Sequence, residues 1–327
     1  MPAIEEVNLV GKIQDLSDVL AIANAAEMPF MTQVKKGKAP TNTLVEYPID
    51  KYDDARSAGV PDGKDADAFE DAQANRARVY SRLMKQWRNP MVTEFAEDIT
   101  AQAGDSGSKF NQAKATKTVE LKQDWEKTFL GNQDSAPQSS ATVGAVARGM
   151  GSWTQTTAQA DTPTAVPAAY RPSSAQIYGG AAASFFEDDL RALLQARFEN
   201  MKQRGDLKGF VGTLIKNQIS DFSRFDVISA SKVSVRRFEP GSAPIEINTS
   251  VDIYHGDYGD VEFFLDMFVA SMKDGHLIDM NMVELRPGKL PHFEALPNLG
   301  GGPRGIVSAI LTLANKNPQA HCKIAAS

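Results

Sequence analysis

Cysteine is almost missing from this sequence. Cys322 is the only one, which excludes an internal disulfide framework and fits a reducing compartment. Long apolar runs are missing too: no stretch approaches the roughly 20 residues a membrane-spanning helix needs. The opening residues, MPAIEEVNLVGKIQD, lack a basic region followed by an apolar one and do not read as a secretory signal. Basic charge is not in excess. The net charge of −6 argues against a dedicated nucleic-acid binder. No internal repeat is visible. What remains is a 327-residue chain with 42% hydrophobic and 23% charged residues, an ordinary soluble composition with enough apolar content for one large domain or two smaller ones.

Helical signals come first along the chain. Residues 13–27 place Ile13, Leu16, Val19, Leu20 and Ala23 at spacings of three and four, an amphipathic helix that must end before Pro29. The stretches 92–103 and 109–130 also read as helical, separated by GDSGS. The second carries Phe110, Ala113, Leu121, Trp125 and Phe129 and is stopped by Gly131 and Asn132. Two glycines within that interruption mark a break or bend. From Asp134 to Pro172 the chain is rich in small and turn-forming residues, and reads as loops with few core positions. FFEDDLRALLQARFENMKQRGD, 185–206, is the strongest helix signal, with Phe186, Leu190, Leu193, Leu194 and Phe198 on one face. After it, KVSVRRF, IEINTSVDIY, DVEFFLDMF, LIDMNMVELRP and IVSAILTLA read as strands. Helices first and strands last give an α+β fold, not a doubly wound sheet.

Charge is segregated between these parts. From Asp50 to Asp71 there are eight acids against three bases, and from Ala72 to Thr93 five bases and no acid. The acidic piece is too poor in large apolar residues to make a core, so it is a long exposed excursion with the basic piece as its return. We expect partners to order such a loop. Its contact candidates are Asp62, Asp65, Asp67, Glu70, Asp71, Arg76, Arg78 and Arg82. The plain alternative is a solvated face.

Chemical candidates are few. VDIYHGDYGDVEFFLD gathers His255, Asp257 and Asp260 within six residues, which suggests a metal-dependent hydrolase using His255 and Asp257. The same letters describe a hairpin in which Asp257 and Gly259 supply the turn. The other histidines, His276, His292 and His321, read as lone loop residues, and a metal site needs more ligands at a recognisable spacing. GVPDGKDAD fails as a phosphate-binding loop, because its glycines are too close and no Ser or Thr follows Lys64. LGGGPRG, 299–305, reads as a flexible joint. Cys322 reads as part of a tail, not a nucleophile. No catalytic, cofactor-binding or metal residue is assigned.

The order of segments resembles the major capsid proteins of tailed bacteriophages, in particular the SU-ten-type group. The resemblance is carried by AAEMPFMTQVKKGKAPTNTLVEYPID, VELKQDWEKTFLGNQ, SFFEDDLRALL, IKNQISDF, VDIYHGDYGDVEF, VELRP and VSAILTLANKNPQAHCKI. It implies a Hong-Kong-ninety-seven-like capsid fold. The parts would be an N-terminal arm at 1–44, an extended loop at 45–88 and a peripheral domain with a long spine helix at 89–148. A mainly axial domain at 149–295 and a C-terminal strand returning to the peripheral domain at 296–327 would complete it. It further implies a virion shell protein assembled in the host bacterial cytoplasm. Expected partners are its own copies in hexamers and pentamers, portal, scaffolding and possibly decoration proteins, and packaged double-stranded DNA by weak non-specific contact. No membrane and no cofactor are implied. A protein nanocompartment of the same fold is the alternative within that resemblance. The arm-like stretch begins close to Met1, so no long cleaved leader is expected. Tyr47 stands where the family pattern suggests Trp, and GDSGS interrupts the spine.

Overall fold

The computed structural model describes residues 27–65, 69–99, 108–222, 225–228, 231–234 and 252–327. The helix expected over residues 13–27, the GDSGS break up to Gly107, and Asp67 lie outside them, apart from Glu27, which is not helical.

The chain enters through a short helix α1 (Pro29–Gln33), opened by Pro29, and a two-residue strand β1 (Lys35–Lys36). Strands β2 (Leu44–Ile49) and β3 (Ala77–Arg82) pair antiparallel, with Leu44 opposite Arg82 and Ile49 opposite Ala77. Strand β4 (Met84–Arg88) follows after one residue. Of the helix expected over 92–103, the described residues show a single wide turn at Phe95–Ile99, and residues 100–103 lie outside them.

Helix α2 (Lys109–Phe129) is the longest among the described residues. Ser108 caps it by accepting the N–H of Asn111 at 3.3 Å. Leu121, Trp125 and Phe129, four residues apart, are fully buried, and each such side chain contributes about 1.5–3 kcal/mol by leaving water. A short helix α3 (Met150–Trp153) and strand β5 (Ile177–Tyr178) lead to α4 (Glu187–Met201). The Asp189 carboxylate accepts the Phe186 N–H at 2.9 Å, fixing the start of α4. Its end is set by Lys202 in a left-handed conformation, φ 55°.

The remaining elements are β6 (Leu207–Val211), α5 (Thr213–Asp221), β7 (Phe225–Ile228), β8 (Ser231–Ser234), β9 (Ile253–Gly256), β10 (Gly259–Leu265), β11 (Asp274–Ile278), β12 (Val283–Leu296), β13 (Arg304–Asn315) and β14 (Cys322–Ala325). They complete a four-stranded sheet, β1-β12-β13-β4, and a mixed six-stranded sheet, β5-β14-β11-β6-β10-β9. The α2 face covers the first sheet through Val307, Ala309, Leu311 and Leu313. Helices α4 and α5 cover the second through Leu190, Leu193, Leu194, Ile215 and Ile219. The α+β class holds.

Several local expectations need correction. The 134–172 segment is mostly irregular, but it is not poor in core: Ala147, Met150, Trp153, Val166 and Tyr170 belong to the α2 core. LIDMNMVELRP is two strands in different sheets, the end of β11 and the start of β12. His276 lies on β11 and His292 on β12, not in loops. His276 and His321 are fully buried, and burial pushes both down to about 3, so both are neutral core residues. Cys322 opens β14 and is buried; its thiol, pushed up to about 12 by burial, is no nucleophile. LGGGPRG forms the turn of the long β12–β13 hairpin. Asn298 Oδ1 accepts the N–H groups of Gly300, Gly301 and Gly302 at 2.9, 3.1 and 3.2 Å, which fixes that turn.

Candidate functional site

Between β2 and β3 the chain makes its excursion, residues 50–76, and the described residues of that span are exposed throughout. The root is different. Val45, Tyr47 and Ile49 alternate inward along β2, and Val79 and Ser81 along β3. Tyr47 packs on Ala314 of the four-stranded sheet. Arg286 donates to its hydroxyl at 2.6 Å and lies over its ring at 5.2 Å, while burial raises that hydroxyl above the ordinary phenol range. A Trp there, as the resemblance suggested, would offer no oxygen to Arg286.

A buried polar network anchors the same root. Arg82 at the end of β3 reaches both carboxylate oxygens of Asp161, with contacts of 2.9–3.2 Å. Asp161 also accepts from Ser135 at 3.0 Å and Thr164 at 2.8 Å. Arg148, 2% exposed, donates to Asp134 at 2.8 Å, to the Thr164 carbonyl at 2.7 Å and to Thr164 Oγ1 at 3.0 Å. Its guanidinium lies over Trp153 at 4.7 Å. Burial works against both carboxylates, but the Arg148 charge beside Asp134, and the Thr164, Arg82 and Ser135 donors around Asp161, hold them below the usual carboxylate range. Sequence reading missed this network, because its residues are scattered through a stretch that looked like plain loop. A lone arginine in the weakly charged AVARGMGSW was the one available signal.

The charged candidates divide by where their partners lie. Arg82 is spent inside its own chain. Arg76 pairs with Asp50 at 3.1 Å and Arg78 with Glu46 at 3.0 Å, yet their side chains stay 49% and 66% exposed. Glu70 pairs with Arg56, and Asp71 accepts the Gln73 N–H at 2.9 Å. Asp54 of the loop reaches Lys202 at the end of α4, 2.6 Å away. Among the described residues no ion pair within the chain reaches Asp62 or Asp65. Beside these charges stand apolar groups that composition alone did not flag: Tyr52 is 97%, Phe69 91% and Val60 77% exposed.

Asp257 and Tyr258 form the two-residue turn between β9 and β10, with Gly256 opposite Gly259. Gly259 has φ 146°, and a Cβ on it would sit 2.2 Å from the Gly205 carbonyl oxygen. His255 points across the hairpin to Asp260 at 3.1 Å, while Asp257 turns to Arg191 of α4 at 3.1 Å. The two do not converge. Among the described residues no three His, Cys, Asp or Glu side chains gather as a metal site.

The sequence profile of the SU10 major capsid protein matches residues 3–327. The chain belongs to that family. As a major capsid protein it is a structural subunit of a phage head shell and part of the virion, not an enzyme, so the hydrolase reading of His255 and Asp257 is set aside. Among solved structures it is similar to the capsid of an empty GTA particle, at TM-score 0.63 and 11% identity over 98% of this chain and 99% of that one. It is similar to Mycobacterium phage Bobi at TM-score 0.61 and 10% identity, over 100% and 99%. The holo-SrpI encapsulin complex from Synechococcus elongatus matches at TM-score 0.51 and 12% identity, over 99% and 95%. At such identities the likeness speaks for the fold, which is the Hong-Kong-ninety-seven-like capsid fold. No curated protein matches the sequence significantly. No helix among the described residues is long and apolar enough to cross a membrane.

Proposed function

We propose that this capsid protein builds its shell through the extended loop at 45–88, as hexamers and pentamers assembled in the host bacterial cytoplasm around double-stranded DNA. Portal, scaffolding and decoration proteins join as further partners. The arm at 1–44, the peripheral parts at 89–148 and 296–327 and the axial part at 149–295 then present the remaining contact surfaces.

One observation carries this reading. The loop is rooted by Arg82 and Asp161, yet its tip offers Tyr52, Val60 and Phe69 to solvent beside Asp62 and Asp65, which have no ion-pair partner among the described residues. A solvated face has no use for three exposed large apolar side chains, whereas an interface does. Against the acids of one copy, a neighbour can set Lys85 and the half-open Arg76 and Arg78, a heterologous contact that closes into rings.

Reversing Asp65, Asp67, Glu70 and Asp71 to Lys tests it by negative-stain microscopy. A folded, soluble subunit that forms no shells is expected. Normal shells from that variant return the loop to a solvated role. The encapsulin likeness supports a second reading, a nanocompartment shell, which purified particles enclosing enzymes in place of DNA would favour.

A further inference from the structure

The LGNQ stretch that ends α2 sets an amide against an amine. The Gly131 carbonyl accepts the Gly151 N–H at 3.0 Å, and the Gln133 carbonyl accepts the Gly149 N–H at 3.0 Å. The Asn132 backbone is therefore held on both sides by the chain around α3. Gly151 makes room for the side chain, since a Cβ there would sit 1.7 Å from Asn132 Oδ1. On the second sheet, Lys323 of β14 stands opposite His276 of β11, and Asp274 stands opposite Ala325. Cross-strand partners and residues two apart share a face, so Lys323 and Asp274 are diagonal neighbours on one side of the sheet. That side meets the end of α2, where His276 Nε2 donates to the Leu130 carbonyl at 3.1 Å.

Three groups converge there. Lys323 Nζ donates to Asn132 Oδ1 at 2.8 Å and to the Gly151 carbonyl at 3.1 Å. Asn132 Nδ2 donates to Asp274 Oδ2 at 3.1 Å, and Asp274 is only 7% exposed. A nucleophile, the carbonyl group open to it and a carboxylate on the leaving nitrogen are thus in contact. Both oxygens touching Nζ are neutral, so a deprotonated amine keeps its two hydrogens bonded and its lone pair free. Burial lowers the Lys323 ammonium from the ordinary 10.5, against the opposing charge of Asp274. Asn132 also lines a cavity of ≈ 810 Å³, which gives a small leaving molecule a way out.

We propose that Lys323 and Asn132 join in an isopeptide bond within one chain, with Asp274 moving the proton. Neutral Nζ adds to Asn132 Cγ, and Oδ1 takes up the carbonyl electron pair. Asp274 accepts the proton that Nζ sheds and passes it to Nδ2, which leaves as ammonia while the carbonyl re-forms. One C–N bond forms, one breaks, and nothing is oxidised or reduced. A free amide resists amines; held in contact, the two react without a bimolecular encounter. The product ties the end of α2 to β14, and with it the first core to the second. It also closes a loop across 191 residues, which restricts the unfolded chain as any cross-link does.

The bond lies inside a single chain, so its test does not depend on shell formation. Purified full-length subunit is denatured, its intact mass is measured and its peptides are mapped. The wild type should be lighter than its residues sum to by one ammonia, and digestion should give a branched peptide joining Asn132 to Lys323. Lys323→Arg and Asn132→Ala should keep the full mass. Asp274→Asn retains the amine and the amide, and should form the bond about a hundredfold more slowly or not at all. Wild type at full mass after prolonged incubation overturns the proposal, whether or not the variants fold. So does an ammonia loss that persists in Lys323→Arg, because a succinimide at Asn132 sheds the same molecule without the lysine. Bond formation at the wild-type rate in Asp274→Asn overturns the part given to the carboxylate.

Discussion

Arg82 and Asp161 are 79 residues apart in sequence and meet through both carboxylate oxygens, with side chains only 12% and 4% exposed. The pair ties β3, the strand by which the chain returns from its excursion at residues 50–76, to the 134–172 segment. Breaking a buried pair by removing one partner costs about 3–5 kcal/mol, because the other charge stays behind unpaired. Ser135 and Thr164 still donate to Asp161, which places Arg82→Ala near the lower end, about 3 kcal/mol. A urea unfolding midpoint unchanged by this substitution would show that the root is held by apolar packing alone.

The same network sets an acid limit. Asp134 and Asp161 both lie below the ordinary 3.8 in the folded state, so the folded protein binds fewer protons than the unfolded chain. Their stabilising contribution is complete above that ordinary value and is lost as pH falls through the lower folded values. Denaturant midpoints should therefore drop steeply below about pH 4, and Arg82→Ala should flatten that drop. An equally steep limb in the variant would assign acid sensitivity to other carboxylates.

How much of this was legible depended on where the physical signal is local. Leu121, Trp125 and Phe129 announce α2 because a period of four puts them on one face. HGDYG announces a turn because Asp and Gly suit its dihedrals. The charge switch near Asp71 announced the excursion, since a stretch with so little apolar content cannot build a core. Ion pairing was not legible. Arg82 looked like its neighbours Arg76 and Arg78, but of the three it is Arg82 that pairs with a carboxylate of the 134–172 segment, and no spacing rule brings Asp161 to it. Trp153 and Val166 were hidden for a similar reason. They are single large residues among small ones, buried by the elements that pass over them and not by any periodicity of their own.

Gly259 gives a test of the hairpin that is independent of charge. With φ 146° and the Gly205 carbonyl oxygen 2.2 Å from where a Cβ would be, Gly259→Ala must strain the backbone or push β6 from β10. Strain of this kind costs about 1–3 kcal/mol. The thermal midpoint should fall accordingly, whereas Asp257→Ala should cost less, because its ion pair with Arg191 is 57% and 76% exposed. Equal losses from both substitutions would mean that the Arg191 contact, not the backbone, fixes the hairpin.

Salt separates the two kinds of group at the loop tip. If the contact between copies is carried by Asp62, Asp65 and their like against basic residues, it should weaken as the screening length shrinks from about 10 Å at 0.1 M to about 3 Å at 1 M. Each exposed pair contributes only about 0.2–1 kcal/mol, so two pairs per contact raise the concentration needed for assembly by up to roughly thirtyfold. If Tyr52, Val60 and Phe69 carry it instead, an excluded salt such as sulfate should favour assembly. The subunit itself supplies the control. Arg82 and Asp161 are buried and screened much less, so its unfolding midpoint should hardly respond to sodium chloride. Light scattering of purified subunits at neutral pH, across a sodium chloride series, reads the outcome directly. A threshold that rises with salt while the unfolding midpoint stays put assigns the contact to the charges. A threshold that stays flat or falls assigns it to the three exposed apolar side chains and leaves the acids a solubility role.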